Sequence, residues 1–299
     1  MKHINILLVV IISIVFLGCG SSPVVRLQVQ RVPEIVIPNA QTIKIERFNI
    51  SSSNYRADIV SIHDLDLKAA LFKNNTYKVV SNGSADIILG GTLNYISDDE
   101  VSTSSREDKD GRVTTTYTAY RTGKLQVRVN VTDGTGKMVG TSNFEVVEKS
   151  KASESSHYRA YENLRSRYDM LTRALKKSVP SIVRRITPYT ENVRRVFAEV
   201  DDDKQIEAAN KLAIAGDWNG AYNGWVIAES GSIDSQAASY FNQSIYFEKM
   251  GNLDKASEYA EKALNTKYDK RFNSRKLLLS KLMLDKKSLE SSFGSPQGK

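Results

Sequence analysis

The 299 residues carry 42 Lys+Arg against 34 Asp+Glu, a formal charge of +8, with 40% hydrophobic and 25% charged residues, 17 Gly, 6 Pro and one Cys. That balance excludes a disordered or collagen-like chain and gives length enough for more than one packed core. A lone cysteine excludes an internal disulfide, three scattered histidines (His3, His63, His157) exclude a His/Cys zinc cluster, and no run of five Lys/Arg marks a nucleic-acid surface.

Met1-Lys2-His3 precedes an apolar stretch from Ile6 to Leu17 that only Ser13 interrupts, the basic start and short hydrophobic segment of a secretory signal. As a helix it rises roughly 18 Å, short of the roughly 30 Å hydrocarbon core of a bilayer. Phe16-Leu17-Gly18-Cys19, followed by Gly20-Ser21-Ser22, resembles the lipobox of bacterial lipoproteins, with Phe16 in place of the usual Leu. The resemblance implies cleavage before Cys19 and acylation of its thiol and new amine, which with two or more chains is a lasting membrane anchor. The alternative is an ordinary signal peptide with a chance cysteine. The lack of Asp after Cys19 implies, by resemblance to enteric sorting, the outer membrane, with the body facing the periplasm. Residues 1–18 are thus expected as the signal peptide and 19–33, where nothing periodic shows, as a tether.

A folded domain is expected over 34–190. Ile35-Val36-Ile37 and Ile43, Ile45 and Phe48 read as strand, and Ile59, Ile62, Leu65, Leu67, Ala70 and Leu71 line one face of a helix. Thr76 to Val80 is a short strand. Ala85 to Tyr95 is a nearly continuous apolar strand, central and buried on both faces, in which Gly90-Gly91 marks a bulge or a close backbone approach. A polar hairpin over 97–122 turns at Asp110-Gly111. Strands at Leu125 to Val131 and Val139 to Val147 flank a turn at Asp133-Gly134-Thr135-Gly136-Lys137, and Lys149 to Ser156 is polar. Tyr158 to Ile186 has helical spacing, with Pro180 a kink or break.

Thr42-Ile43-Lys44-Ile45-Glu46-Arg47-Phe48-Asn49, Tyr77-Lys78-Val79-Val80, Ala85 to Thr92 and the Asp133-to-Lys137 turn resemble the core of the CsgG-like lipoprotein domain, over about residues 35–190. That family includes the curli-secretion channel subunit and lipoproteins that activate cell-wall synthases. The resemblance implies a mixed β-sheet with helices packed on one face, and no catalytic residue. The channel protein places amphipathic hairpins in lipid, which needs an apolar residue at nearly every second position. Asp98 to Asp110 has Val101 as its sole aliphatic residue, so 97–122 is expected as a protruding soluble hairpin, either a partner contact or a solvated loop.

Ala215-Gly216-Asp217-Trp218-Asn219-Gly220-Ala221 and Met250-Gly251-Asn252-Leu253-Asp254-Lys255-Ala256 share one pattern, with their first glycines 35 residues apart. The period and the Ala256 and Ala263 small positions resemble the tetratricopeptide repeat, of about 34 residues. Gly in each pair should close a helix with a left-handed cap. An all-α repeat domain is therefore expected over 200–290, with Val193 to Val200 beginning the stack, Asn273 to Leu289 capping it, and 291–299 a disordered tail. Trp218, Trp225, Tyr240 and Phe247 are candidate protein-binding residues, with packing in the core the competing role.

The fold class expected is α+β followed by an all-α repeat domain. Neither a phosphate-cradling loop nor a hydrolase or zinc-protease motif is present, and Glu107 to Gly111 reads as a turn rather than a calcium loop. A non-enzymatic, cofactor-free adaptor for envelope assembly or secretion is the expectation: anchored through Cys19, touching envelope proteins rather than nucleic acid, with self-association left open. The alternative is an oligomeric outer-membrane secretion-channel subunit.

Overall fold

The computed structural model describes residues 23–51 and 57–293. Cys19, the signal segment 1–18, the first part of the expected tether and residues 294–299 of the expected tail lie outside the described residues. In chain order the elements are β1 (Val24–Arg31), β2 (Thr42–Ile45), β3 (Asn49–Ile50), α1 (Ala57–Asn74), β4 (Lys78–Val80), β5 (Ile87–Glu107), β6 (Val113–Asp133), β7 (Met138–Glu154), α2 (His157–Glu162) and α3 (Arg167–Ile186). There follow β8 (Tyr189–Val196), α4 (Lys204–Ala215), α5 (Trp218–Ala228), α6 (Ile233–Lys249), α7 (Leu253–Thr266) and α8 (Lys270–Phe293). The chain is thus mixed α+β with a helical C-terminal part. It divides into two compact units, one of 29–191 with 282–293, the other of 23–28 with 192–281.

In the first unit a six-stranded sheet runs β4-β2-β5-β6-β7, with β3 also on β5. β2 pairs in parallel with β4 and β5, whereas β5–β6 and β6–β7 are antiparallel. The sheet is mixed because α1 carries the chain from β3 back to β4, a crossover, while tight turns join the later strands. Ile45 stands beside Leu89, Leu89 beside Val131, and Leu93 beside Val127 in register, so one face is a continuous aliphatic layer. α1 covers it with Ile59, Val60, Leu67 and Leu71, and α3 with Met170, Leu171, Leu175, Val179 and Ile182. Burying each such side chain contributes about 1.5–3 kcal/mol.

Several expectations change. The tether contains β1, where Val25, Leu27 and Val29 alternate with exposed residues; a period of two is hard to credit in a segment with no local partner. Ile35 and Ile37 are buried in the core but form no strand, because Pro33 and Pro38 flank them and proline cannot donate to a ladder. Residues 85–95 are buried on one face only: Leu89 and Leu93 are fully covered and Thr92 is exposed. The hairpin expected over 97–122 is formed by β5 and β6, each of 21 residues, while the polar segment 149–154 is also strand, because β7 finds its hydrogen-bonding partner on β6 and reaches Glu154. The helix expected over 158–186 is two, α2 and α3, and α3 continues through Pro180. Val193 to Val196 belongs to a strand, β8, which pairs with β1 in a separate two-stranded sheet. Residues 291–293 of the expected tail end α8, and Phe293 lies 6.4 Å from Tyr77 between ring centroids.

In the second unit α4 and α5 pair, as do α6 and α7. Gly216, at φ 94°, and Gly251, at φ 75°, occupy the left-handed region after α4 and α6, where a side chain would be strained. The next residues, Asp217 and Asn252, cap α5 and α7 by accepting from Gly220 N–H and Lys255 N–H. Ala221 and Ala256 then pack fully buried. The two turns thus repeat the left-handed glycine, the side-chain cap and the buried alanine at the spacing read from the sequence.

Candidate interaction site

The β5–β6 pair continues well past the part of the sheet that α1 and α3 cover. From Asp98↔Thr122 to Glu107↔Val113 the register is unbroken, and β7 accompanies β6 as far as Tyr117↔Glu154. Ser102 to Thr114 is exposed throughout. At the tip Asp108 accepts through Oδ1 from the N–H groups of Asp110 and Arg112, both at 2.9 Å. That is an Asx turn.

The arm is held at its base. Arg121 donates two hydrogen bonds to Asp99, its cross-strand neighbour, at 2.7 and 2.9 Å, and a third to Arg165 O at 2.8 Å. Arg167 adds a contact to the same carboxylate at 3.1 Å. The Arg121 hydrogen bonds hold the Asp99 carboxyl below its ordinary range, against some burial. Beside this network α2 sets Ala160, and the turn after it Leu164, on Ala119, with Val101, Tyr117 and Tyr161 around them. The hairpin read as protruding is therefore anchored for its first turns of pleat and free only beyond Val101.

The aromatic candidates separate. Trp225 is fully buried and donates from Nε1 to Asn210 Oδ1 at 3.0 Å; its indole is core, which removes it from any binding surface. Phe247 is 9% exposed and packs on Tyr222 and Tyr259. Trp218 and Tyr240 are half-buried against the same core. Sequence reading missed Tyr222, Tyr246 and Tyr259, which join Phe247 and Tyr240 in one row of touching rings across α5, α6 and α7. No signal in the repeat pattern marks them: Tyr222 lies five residues past the Asp217 cap and Tyr259 seven past the Asn252 cap, so the two do not occupy corresponding positions. Lys255 and Lys262 lie over Phe247 and Tyr259 at 5.4 and 4.5 Å from the ring centroids.

Among the described residues no group of three or more His, Cys, Asp or Glu is placed to hold a metal ion, and no helix is long and apolar enough to cross a membrane.

A family model for a domain of unknown function (DUF6340) matches residues 207–286. No curated protein matches the chain. Among solved structures the chain is similar to the PelC dodecamer of Paraburkholderia phytofirmans, at 10% identity over 54% of this chain and 96% of that one, with a TM-score of 0.29. It is similar also to a minor lipoprotein of Acinetobacter baumannii, at 12% identity over 48% and 91%, TM-score 0.27. The rare lipoprotein B of Shewanella oneidensis matches at 14% identity over 48% and 91%, TM-score 0.25. Two of these three are bacterial lipoproteins; at such scores the likenesses carry no argument about what this chain does.

Proposed function

We propose that the chain is a membrane-anchored envelope lipoprotein, attached through acylated Cys19 to the outer membrane and facing the periplasm, that acts as a non-enzymatic protein-binding adaptor in envelope assembly or secretion. In this reading the β-rich unit is a CsgG-like domain and α4 to α8 form a tetratricopeptide-like stack. The observation that carries it is the arm: two 21-residue strands hold an exposed polar surface over 102–114 beyond the covering helices. Its inner backbone groups are spent in the ladder, so recognition falls to side chains. The repeated geometry at Gly216 and Gly251 supports the stack, an architecture that offers extended concave surfaces. The Phe16-to-Cys19 segment supports the anchor.

The channel-subunit alternative needs one apolar row along the arm. Glu100, Ser102, Ser104 and Arg106 make up one row and Val101, Thr103, Ser105 and Glu107 the other, and neither suits hydrocarbon. The adaptor reading is tested in cells. Radiolabelled palmitate should mark the wild type and not Cys19→Ser, and a photocrosslinker at Ser104 should capture a protein that is lost when 102–114 is replaced by a short turn. An unlabelled wild type overturns the anchor; a capture unchanged by shortening overturns the arm.

A further inference from the structure

Where α1 and α3 come to their C-terminal ends, the β-rich unit has a solvent-open cavity of about 490 Å³. Two cations line it, Lys73 in the last turn of α1 and Arg184 in the last turn of α3, and no Asp or Glu does. Neither cation has an ion-pair partner among the described residues. Apolar wall is supplied by Pro180, Val183, Pro188 and the ring of Tyr189, over which the Arg184 guanidinium sits 5.7 Å from the centroid.

The ordinary role of a cation in a last helical turn is to offset the partial negative charge there, about half an elementary charge for each helix. Two full charges against two halves leave about one positive charge facing the cavity. The helix-end carbonyls that would repel an anion are also engaged. Val183 O accepts from both the N–H and the hydroxyl of Thr187 at 2.9 Å, and Ile186 O accepts from the Tyr77 hydroxyl at 2.9 Å. At about 30 Å³ for each water-sized group, the volume suits a ligand of some fifteen heavy atoms, within the usual range for small-molecule sites.

We propose that this cavity binds an amphiphilic anion: a phosphate or carboxylate group held by Lys73 and Arg184, carried on an apolar portion that lies against Pro180, Val183, Pro188 and the Tyr189 ring. The chemistry is common to a phospholipid of the bilayer and to a free single-chain anion. It is tested on the full chain in phosphatidylcholine nanodiscs, titrated calorimetrically with octyl phosphate against empty discs.

Saturable binding is expected, weakened at least tenfold in the Lys73→Gln/Arg184→Gln double variant and in Thr190→Trp, which narrows the cavity from an exposed lining position. Inorganic phosphate should bind at least tenfold more weakly than octyl phosphate. All three positions are exposed, so the variants should melt with the wild type, and melting curves check that they do. Repeating the titration in phosphatidylglycerol discs distinguishes the sources: competition supports a lipid headgroup as occupant, and unchanged affinity supports a free anion. Absence of saturable binding, equal binding by the double variant, or equal binding of inorganic phosphate overturns the proposal.

Discussion

Arg195 of β8 grips Glu248 of α6 with two hydrogen bonds, Nε to Oε2 at 2.9 Å and Nη2 to Oε1 at 2.7 Å. Arg275 of α8 takes the same carboxylate from the other side, and its remaining donors go to the hydroxyl and carbonyl of Ser244. The carboxylate side chain is 1% exposed and that of Arg275 3%. Burial pushes the Glu248 carboxyl up, but hydrogen bonds and charge from the two arginines more than reverse it, and the net shift is downward.

Glu248→Gln should therefore cost far more than an exposed ion pair, about 3–5 kcal/mol, because two guanidinium groups lose their counter-charge, one of them deep in the core. A urea titration at neutral pH measures it. A carboxyl lowered on folding stabilises above its unfolded pKa, and that contribution disappears as pH falls below about 4.5 through the folded value. The difference between wild type and Glu248→Gln should accordingly shrink as the titration is repeated from pH 5 downward. A difference constant with pH would mean that Glu248 is not ionised in the fold.

A second network decides how the chain enters the helices. Asn242 treats Ala198 as a strand neighbour would, accepting its N–H at 2.7 Å and donating to its carbonyl at 3.0 Å. Asn210 donates to the same carbonyl, and its own oxygen accepts from Asn242 and from Trp225. Asn242→Leu keeps the size of the side chain and leaves the buried Ala198 N–H without a partner, for which about 2–3 kcal/mol is expected. The melting temperature should fall by roughly 10 °C or more for a unit of this size.

These networks mark how far local pattern carries. α1 and α3 were legible because Leu67 and Leu71, or Leu171 and Leu175, recur at helical spacing, and the caps at Gly216 and Gly251 because left-handed backbone selects glycine. β1 and β8 were not: β1 alternates over only eight residues and β8 shows no alternation of apolar and polar residues, and their pairing joins segments more than 150 residues apart, which no local period reports. The hairpin over 97–122 was legible from its Asp110-Gly111 turn, but its anchorage was not: Asp99 and Arg121 face each other across the ladder, and such pairing is invisible until the register is known. For Trp225 local pattern left a binding role and a core role in competition; its burial and its hydrogen bond to Asn210, fifteen residues away, place it in the core. The anion cavity is equally a product of tertiary structure, its two cations coming from helices that only the fold brings together.

Gly91 tests the expectation of a close approach. The β5–β6 register passes it without a bulge, and a Cβ built there would lie 2.0 Å from Arg128 O and 2.7 Å from Phe48 Cε1. A backbone carbonyl in mid-sheet cannot yield, so Gly91→Ala should cost about 3 kcal/mol or more. Gly136 is the comparison: its φ is 87° and nothing stands within 4 Å of its Cβ position, so Gly136→Ala should cost only the conformational strain of about 1–2 kcal/mol. Urea midpoints in the opposite order would show that the sheet relaxes around residue 91.

Tyr77 ties the core to the end of α3. It is 3% exposed, and its hydroxyl donates to Ile186 O at 2.9 Å. Burial pushes its pKa up to about 12 from 10. Tyr77→Phe should lose about 1 kcal/mol near pH 8, the net worth of one buried hydrogen bond. An acid whose pKa is raised on folding contributes stability that is complete below the unfolded value and lost as pH rises through the folded one. Between pH 10 and 12 the unfolded wild type therefore gains what the folded form cannot, while phenylalanine gains nothing. The advantage of wild type over Tyr77→Phe should narrow across that window and then reverse, read as crossing urea midpoints in a pH series. An advantage that stayed fixed to pH 12 would mean the phenol ionises in the fold as readily as in water, and hence that its hydroxyl is not held at Ile186 O.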